Sequence, residues 1–137
     1  MGDRCYMEIQ CSKAHYESVL HEYFVEILEE DGDYVKAADP EANYAYTNEI
    51  EEWADQGLVF IAFHDVGDNY GGYEIACDGE QLCDAPHHRD RGLVVEIDEN
   101  TGQPVPEALE QARKLLKVRH RAMKHLDSLR AANIGKS

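Results

Sequence analysis

The sequence predicts an α+β fold: a single, mostly antiparallel four-stranded sheet, in the order β-α-α-β-β-β-α, with two long helices packed on one face. Three observations carry this. Residues 5–11 alternate between apolar and polar, residues 16–28 and 106–130 repeat their apolar positions at helical spacing, and Leu58 to Phe63 form a continuous apolar run. Period two marks a strand with one buried face, a period near 3.6 marks an amphipathic helix, and a short unbroken run marks a strand buried on both faces. Right-handed crossovers would bring both helices to the same side of the sheet.

In the first strand Cys5, Met7, Ile9 and Cys11 share a face opposite Tyr6, Glu8 and Gln10. Cys5 and Cys11 stand roughly 20 Å apart at about 3.3 Å per residue, so they read as buried structural thiols rather than a pair. Ser12 is placed to cap a helix carrying Tyr16, Val19, Leu20, Tyr23, Phe24, Ile27 and Leu28, with Gly32 as its stop. Asp39-Pro40 reads as a cap and first helical position, and Asn48 with Glu51 as a capping box ahead of Ile50, Trp53 and Ala54. Gly57 ends that helix.

Leu58–Phe63 is the expected central strand, followed by a glycine-rich turn over 67–72 and a hairpin partner at Tyr73–Cys77. Residues 78–92 read as a polar loop and Leu93–Ile97 as the last strand. The final helix is expected over about 106–130, with 131–137 as a flexible tail, giving one domain over 1–137. On a helical wheel Val105, Ala108, Leu109, Ala112, Leu116, Met123 and Leu126 share a sector, with Arg113, Lys117, Arg121 and Lys124 opposite. Arg119 falls inside the apolar sector. Either the helix has run past the core there or Arg119 meets a carboxylate, because an unpaired buried guanidinium is too costly to keep.

Charge is the strongest compositional signal. The formal net charge is −15, made of −20 in residues 1–104 and +5 in residues 105–137. Such a surface disfavours direct nucleic-acid binding and anionic membrane, and favours a basic protein partner. Eight Tyr, three Phe and one Trp argue against disorder. No run approaches the roughly 20 apolar residues of a membrane span. With no apolar leader at Met1–Tyr6, a cytoplasmic location and reduced cysteines are expected.

Motifs for chemistry are weak. Cys77, Cys83, His87 and His88 cluster in one stretch, but their spacing misses the close pairs of zinc sites. They are the only metal candidates, and no cofactor is expected. No serine sits in a nucleophile elbow, and Gly67–Gly72 matches no phosphate-binding loop. His64-Asp65, at the end of the central strand, is the best acid–base pair.

The acidic residues form the main candidate site. Glu22, Glu26 and Glu30 recur at i, i+4 on the expected first helix, with Glu29 and Asp31 beside them. Like charges at that spacing cost a helix a few tenths of about a kcal/mol each, so stability does not explain them. Tyr34, Tyr44, Tyr46, Trp53, Asp68 and Tyr70 complete the expected partner-binding set, because aromatics anchor interfaces while carboxylates steer a basic partner. The expected function is therefore a non-enzymatic acidic inhibitor that masks the basic, nucleic-acid-binding surface of another protein, as anti-CRISPR, anti-restriction and nuclease-immunity proteins do. The alternative is a small enzyme or ligand-binding protein with its site near His64, Asp65 and the 78–91 loop. A homodimer through an uncovered sheet face bearing Tyr6, Ala76 and Val94 is a further possibility.

Overall fold

The structure, a computed structural model, describes residues 4–67 and 71–132. Among the described residues its sheet is antiparallel throughout, with seven strands rather than four. The strands are β1 (Arg4–Ser12), β2 (Glu26–Asp31), β3 (Tyr34–Asn43), β4 (Val59–His64), β5 (Tyr73–Asp78), β6 (Leu82–His88) and β7 (Gly92–Leu93), in the spatial order β2-β3-β1-β4-β5-β6-β7. Three α-helices accompany them among the described residues: α1 (Lys13–Ser18), α2 (Thr47–Asp55) and α3 (Pro106–Ser128).

The expected central strand holds that place. β4 is fourth of seven and hydrogen-bonds to β1 on one side and β5 on the other. Its alternate residues enter two cores, as a strand buried on both faces requires. Phe60 and Ala62 join Met7, Ile9, Cys11, Val35, Ile75 and Cys77 on one face, where Leu20, Phe24, Ile50 and Trp53 cover them. Ile61 joins Ala76 and Ala85 on the other, beneath Leu115, Val118, Ala122 and Leu126 of α3. The helices therefore lie on opposite faces, not one. Ala76, expected on an uncovered face, is buried under α3, which removes the patch that suggested a dimer.

The long first helix does not form. Ser12 caps α1 as expected, its side chain accepting from the His15 N–H, but α1 ends at Ser18. A short 3₁₀ turn, Leu20–Glu22, follows, and the chain then extends as β2. Gly32, at φ 61°, opens the two-residue loop that turns β2 back into β3, instead of stopping a helix. The β-branched Val25 and Ile27 tolerate an extended backbone well. Pairing with β3 outweighs the helical spacing upstream.

Residues 39–40 are likewise strand rather than helix start. Asp39 pairs opposite Met7 and Ala42 opposite Cys5, so a bulge absorbs Pro40, which cannot donate to a ladder. Three consecutive non-glycine residues, Tyr44, Ala45 and Tyr46, then adopt φ 52°. A left-handed turn costs roughly 1–2 kcal/mol per residue. Burial of Ala45 and docking of Tyr46 against Tyr23, Phe24 and Trp53 offset it. The helix that follows starts at Thr47, so Asn48 is not its cap. Gly57, at φ 79°, ends it as expected, with the Leu58 N–H reaching back to the Trp53 carbonyl at 3.1 Å.

Two further expectations change. Residues 82–88, read as loop, form β6 against β5; of the expected last strand, Leu93–Ile97, only Leu93 enters a described strand, β7, together with Gly92 from the expected loop. On α3 the buried sector runs through Ala112, Leu115, Val118, Ala122 and Leu126, leaving Leu116 exposed. Arg119 thus stands at the edge of the core. There its Nη1 donates to Glu74 Oε1 at 2.5 Å, so it meets a carboxylate.

Where β4, β5 and β6 converge, Gly72 leaves no room for a side chain. A Cβ there would lie 2.7 Å from the His87 carbonyl oxygen and 3.0 Å from that of His64, both backbone atoms. Gly72→Ala is expected to destabilise the protein by about 1–3 kcal/mol, the usual range for overpacking. Denaturant unfolding would check this, with Gly71→Ala, whose Cβ meets nothing within 4 Å, as the comparison.

Candidate functional site

The acidic cluster lies on an edge strand, not on a helix. Opposite Ala38, Lys36 and Tyr34 of β3 stand Glu26, Glu29 and Asp31, which therefore share a sheet face; Glu30, opposite Val35, points to the other. Glu22 sits apart, exposed in the 3₁₀ turn. The expected stripe of Glu22, Glu26 and Glu30 at one-turn spacing is not formed, because a strand alternates its side chains where a helix would stack them.

Part of this charge is neutralised within the fold. Arg130, just past the end of α3, donates to Glu29 at 2.8 Å, lies 3.6 Å from Asp31 and stacks its guanidinium 3.9 Å from the Tyr34 ring centroid. Lys13 approaches Glu30 at 3.5 Å. No ion pair among the described residues involves Glu22 or Glu26. Beside and between these carboxylates three aliphatic side chains are exposed: Val25, just before β2, at 70%, and Ile27 and Leu28 within it at 48% and 44%. Beyond β2 no described strand continues the sheet. The edge thus joins unpaired backbone, aliphatic side chains and acid, a combination absent from the residue-by-residue expectation.

The expected aromatic anchors divide. Tyr44 is exposed on the left-handed turn. Trp53 and Tyr34 are buried and belong to the core, so neither is an interface anchor. Tyr46 is half-buried, its hydroxyl held by Asp39 and its ring 5.1 Å from Tyr23. Asp68 and Tyr70 lie outside the described residues.

His64 and Asp65 do not form an acid–base pair through the carboxylate. His64 Nδ1 donates to the Asp65 backbone carbonyl at 2.9 Å, while the Asp65 carboxylate takes Arg89 at 3.2 Å. Burial holds the His64 imidazole below its ordinary pKa, with backbone and carboxylate of Asp65 opposing weakly. His87 occupies the other face, its ring 5.5 Å from Phe63. The cysteines also diverge: Cys77 joins the α2-side core and Cys83 packs toward α3, with both thiols pushed up by burial. Among the described residues no group of three or more His, Cys, Asp or Glu is arranged to hold a metal.

His64 instead lines a cleft of about 410 Å³ between α2 and the β4–β6 part of the sheet. Ile50, Ile75 and Leu82 supply apolar wall, Tyr73 stacks on His64 with ring centroids 6.0 Å apart, and Glu51 and Asp84 bring carboxylates. Sequence reasoning picked out His64 and the 78–91 stretch that holds Asp84, but not Glu51. Their convergence depends on β6 being a strand, a signal the polar composition of 78–92 conceals. Among the described residues no helix is long and apolar enough to cross a membrane.

The lowered pKa of His64 has a stability consequence. A histidine that binds its proton less readily when folded adds stability above its unfolded pKa of about 6.5, and this is lost as pH falls toward the folded value. His15, lowered by burial and by His125, acts in the same direction. Unfolding free energy from pH 7.5 to 5 is expected to decline less steeply in His64→Gln than in the wild type, as chemical denaturation at each pH would measure.

Compared with protein-family models, with curated proteins and with solved structures, the chain has no significant match.

Proposed function

We propose that the protein is a non-enzymatic acidic binding protein whose β2 edge receives an extended basic segment of a partner, masking residues that the partner uses on nucleic acid. The observation that carries this reading is the exposure of Ile27 and Leu28 on an edge strand, with Val25 just before it, among Glu22, Glu26 and Glu30. An edge strand offers unpaired N–H and C=O groups to any chain that can extend along it. Strand addition draws affinity from the backbone and selectivity from alternate side chains. Here the aliphatics favour apolar residues in the incoming segment, and the carboxylates favour lysine or arginine between them.

Charge argues for a partner over a second copy. Two β2 strands paired across a two-fold axis would bring Glu26, Glu29 and Glu30 of each copy together, and like charges across a ladder are destabilising. A basic segment reverses the sign. The overall charge of −15 also speeds encounter with a basic surface at low salt. Basic extended segments of this kind meet phosphates in nucleic-acid-binding proteins, so capping one would release the nucleic acid.

The test uses an octapeptide alternating lysine and valine, its analogue N-methylated at alternate residues, and a glutamate–valine counterpart. In ¹⁵N-resolved titrations the lysine peptide is expected to shift amides of 25–31, and the other two are not. The same lysine peptide held on duplex DNA should be released by the wild type and at least tenfold less effectively by Glu22→Gln/Glu26→Gln/Glu30→Gln or by Ile27→Lys. Equal binding of the methylated peptide overturns strand addition. A concentration-dependent dimer that closes the edge would assign it to a second copy instead.

A further inference from the structure

The cleft between α2 and the sheet has a chemistry separate from the β2 edge. Its volume of about 410 Å³ falls within the roughly 300–1,000 Å³ of small-molecule sites. Such sites combine mostly apolar walls with a few placed polar groups, and this one follows the pattern with Ile50, Ile75 and Leu82 beside Glu51 and Asp84. Among the described residues no lysine or arginine lines it. An anionic ligand would therefore enter against two carboxylates with no counter-charge, which excludes phosphates and carboxylic acids as its natural occupants.

We propose that this cleft binds a small organic cation, an ammonium group on an apolar or aromatic body. Glu51 on α2 and Asp84 on β6 would receive the cation from two elements, and both are exposed at the cleft. The body would lie on Ile50, Ile75 and Leu82. At one end Tyr73, stacked on His64, presents a π surface that attracts a cation. His64 suits this role because burial disfavours its protonated form, which would compete with a bound cation. The same chemistry is available from a free amine and from a lysine side chain of a bound protein.

Titrations with four probes separate these cases: phenethylammonium, Nα-acetyl-lysine N-methylamide, neutral 2-phenylethanol and anionic hydrocinnamate. Phenethylammonium is expected to shift residues 47–51, 64, 73–75 and 82–84, and to bind at least tenfold more tightly than the alcohol, with hydrocinnamate excluded. Glu51→Gln/Asp84→Asn should weaken it about tenfold with the far-UV spectrum unchanged, and Glu110→Gln, on α3, should leave it as it is. Binding of the lysine derivative at the same residues would support the site and name a protein side chain as its source; its failure beside a binding amine would support a free ligand. The proposal is overturned if the alcohol binds as well as the amine, if the double variant binds normally, or if millimolar amine leaves these residues unmoved. Because Ile27→Lys leaves the cleft untouched, it should not alter amine binding, so the two proposals fail separately.

Discussion

Everything in the fold depends on β1 being hydrogen-bonded along both of its edges, to β3 on one side and to β4 on the other. The first strand in the chain is thus an interior strand, and neither neighbour in space is its neighbour in sequence. Met7, Ile9 and Cys11 meet the aromatic layer of Phe24, Trp53 and Phe60. On the reverse, Gln10 accepts from the Tyr34 hydroxyl at 2.7 Å and Glu8 from that of Tyr6 at 2.6 Å. Closing these pairings needs long loops to form first, which places the cost of folding early.

The second organising feature is the division of charge within α3. Three of the chain's arginines at or after its midpoint turn inward along the sheet: Arg119 to Glu74, Arg121 to Asp78 at 2.7 Å, and Arg130 to Glu29 and Asp31. Burial alone would raise the Asp78 carboxyl, but the N–H groups of Gln81 and Glu80 together with Arg121 hold it below its usual range. Arg113, Lys114, Lys117 and Lys124 face solvent. The basic helix is therefore partly an internal counter-ion to the acidic sheet, while the Glu22 and Glu26 end of the edge keeps its charge for the outside.

What could be read from the sequence was what local periodicity determines. β1, the central β4, its hairpin partner β5, the Gly57 stop and the bounds of α3 all follow from spacing or a single turn residue, and Arg119 was singled out because it broke the pattern. β2 was not legible, since Tyr23-Phe24 and Ile27-Leu28 fit a helical face as well as Val25 and Ile27 fit a strand; the clue was Gly32 between Asp31 and Asp33, which suits a hairpin as well as a helix end. β6 was hidden because Pro86 and the polar residues around it resemble a loop, and its support comes from non-local partners, β5 beside it and α3 over Ala85. The candidate sites share that dependence. The β2 edge required knowing that the acids lie on a strand, and the cleft gathers residues 47–51, 64, 73–75 and 82–84 through pairings that no local window contains.

The exposed β2 edge carries one more consequence, for the behaviour of the protein at high concentration. An aliphatic edge strand is a template for uncontrolled stacking of copies into fibrils. Glu26, Glu29, Glu30 and Asp31 act there as gatekeepers, since each copy that approaches meets its own charge. That protection rests on charge and reaches only as far as salt allows. High ionic strength shortens the repulsion and leaves Val25, Ile27 and Leu28 exposed, so salt is the condition under which copies would come close enough for this edge to nucleate insoluble assembly.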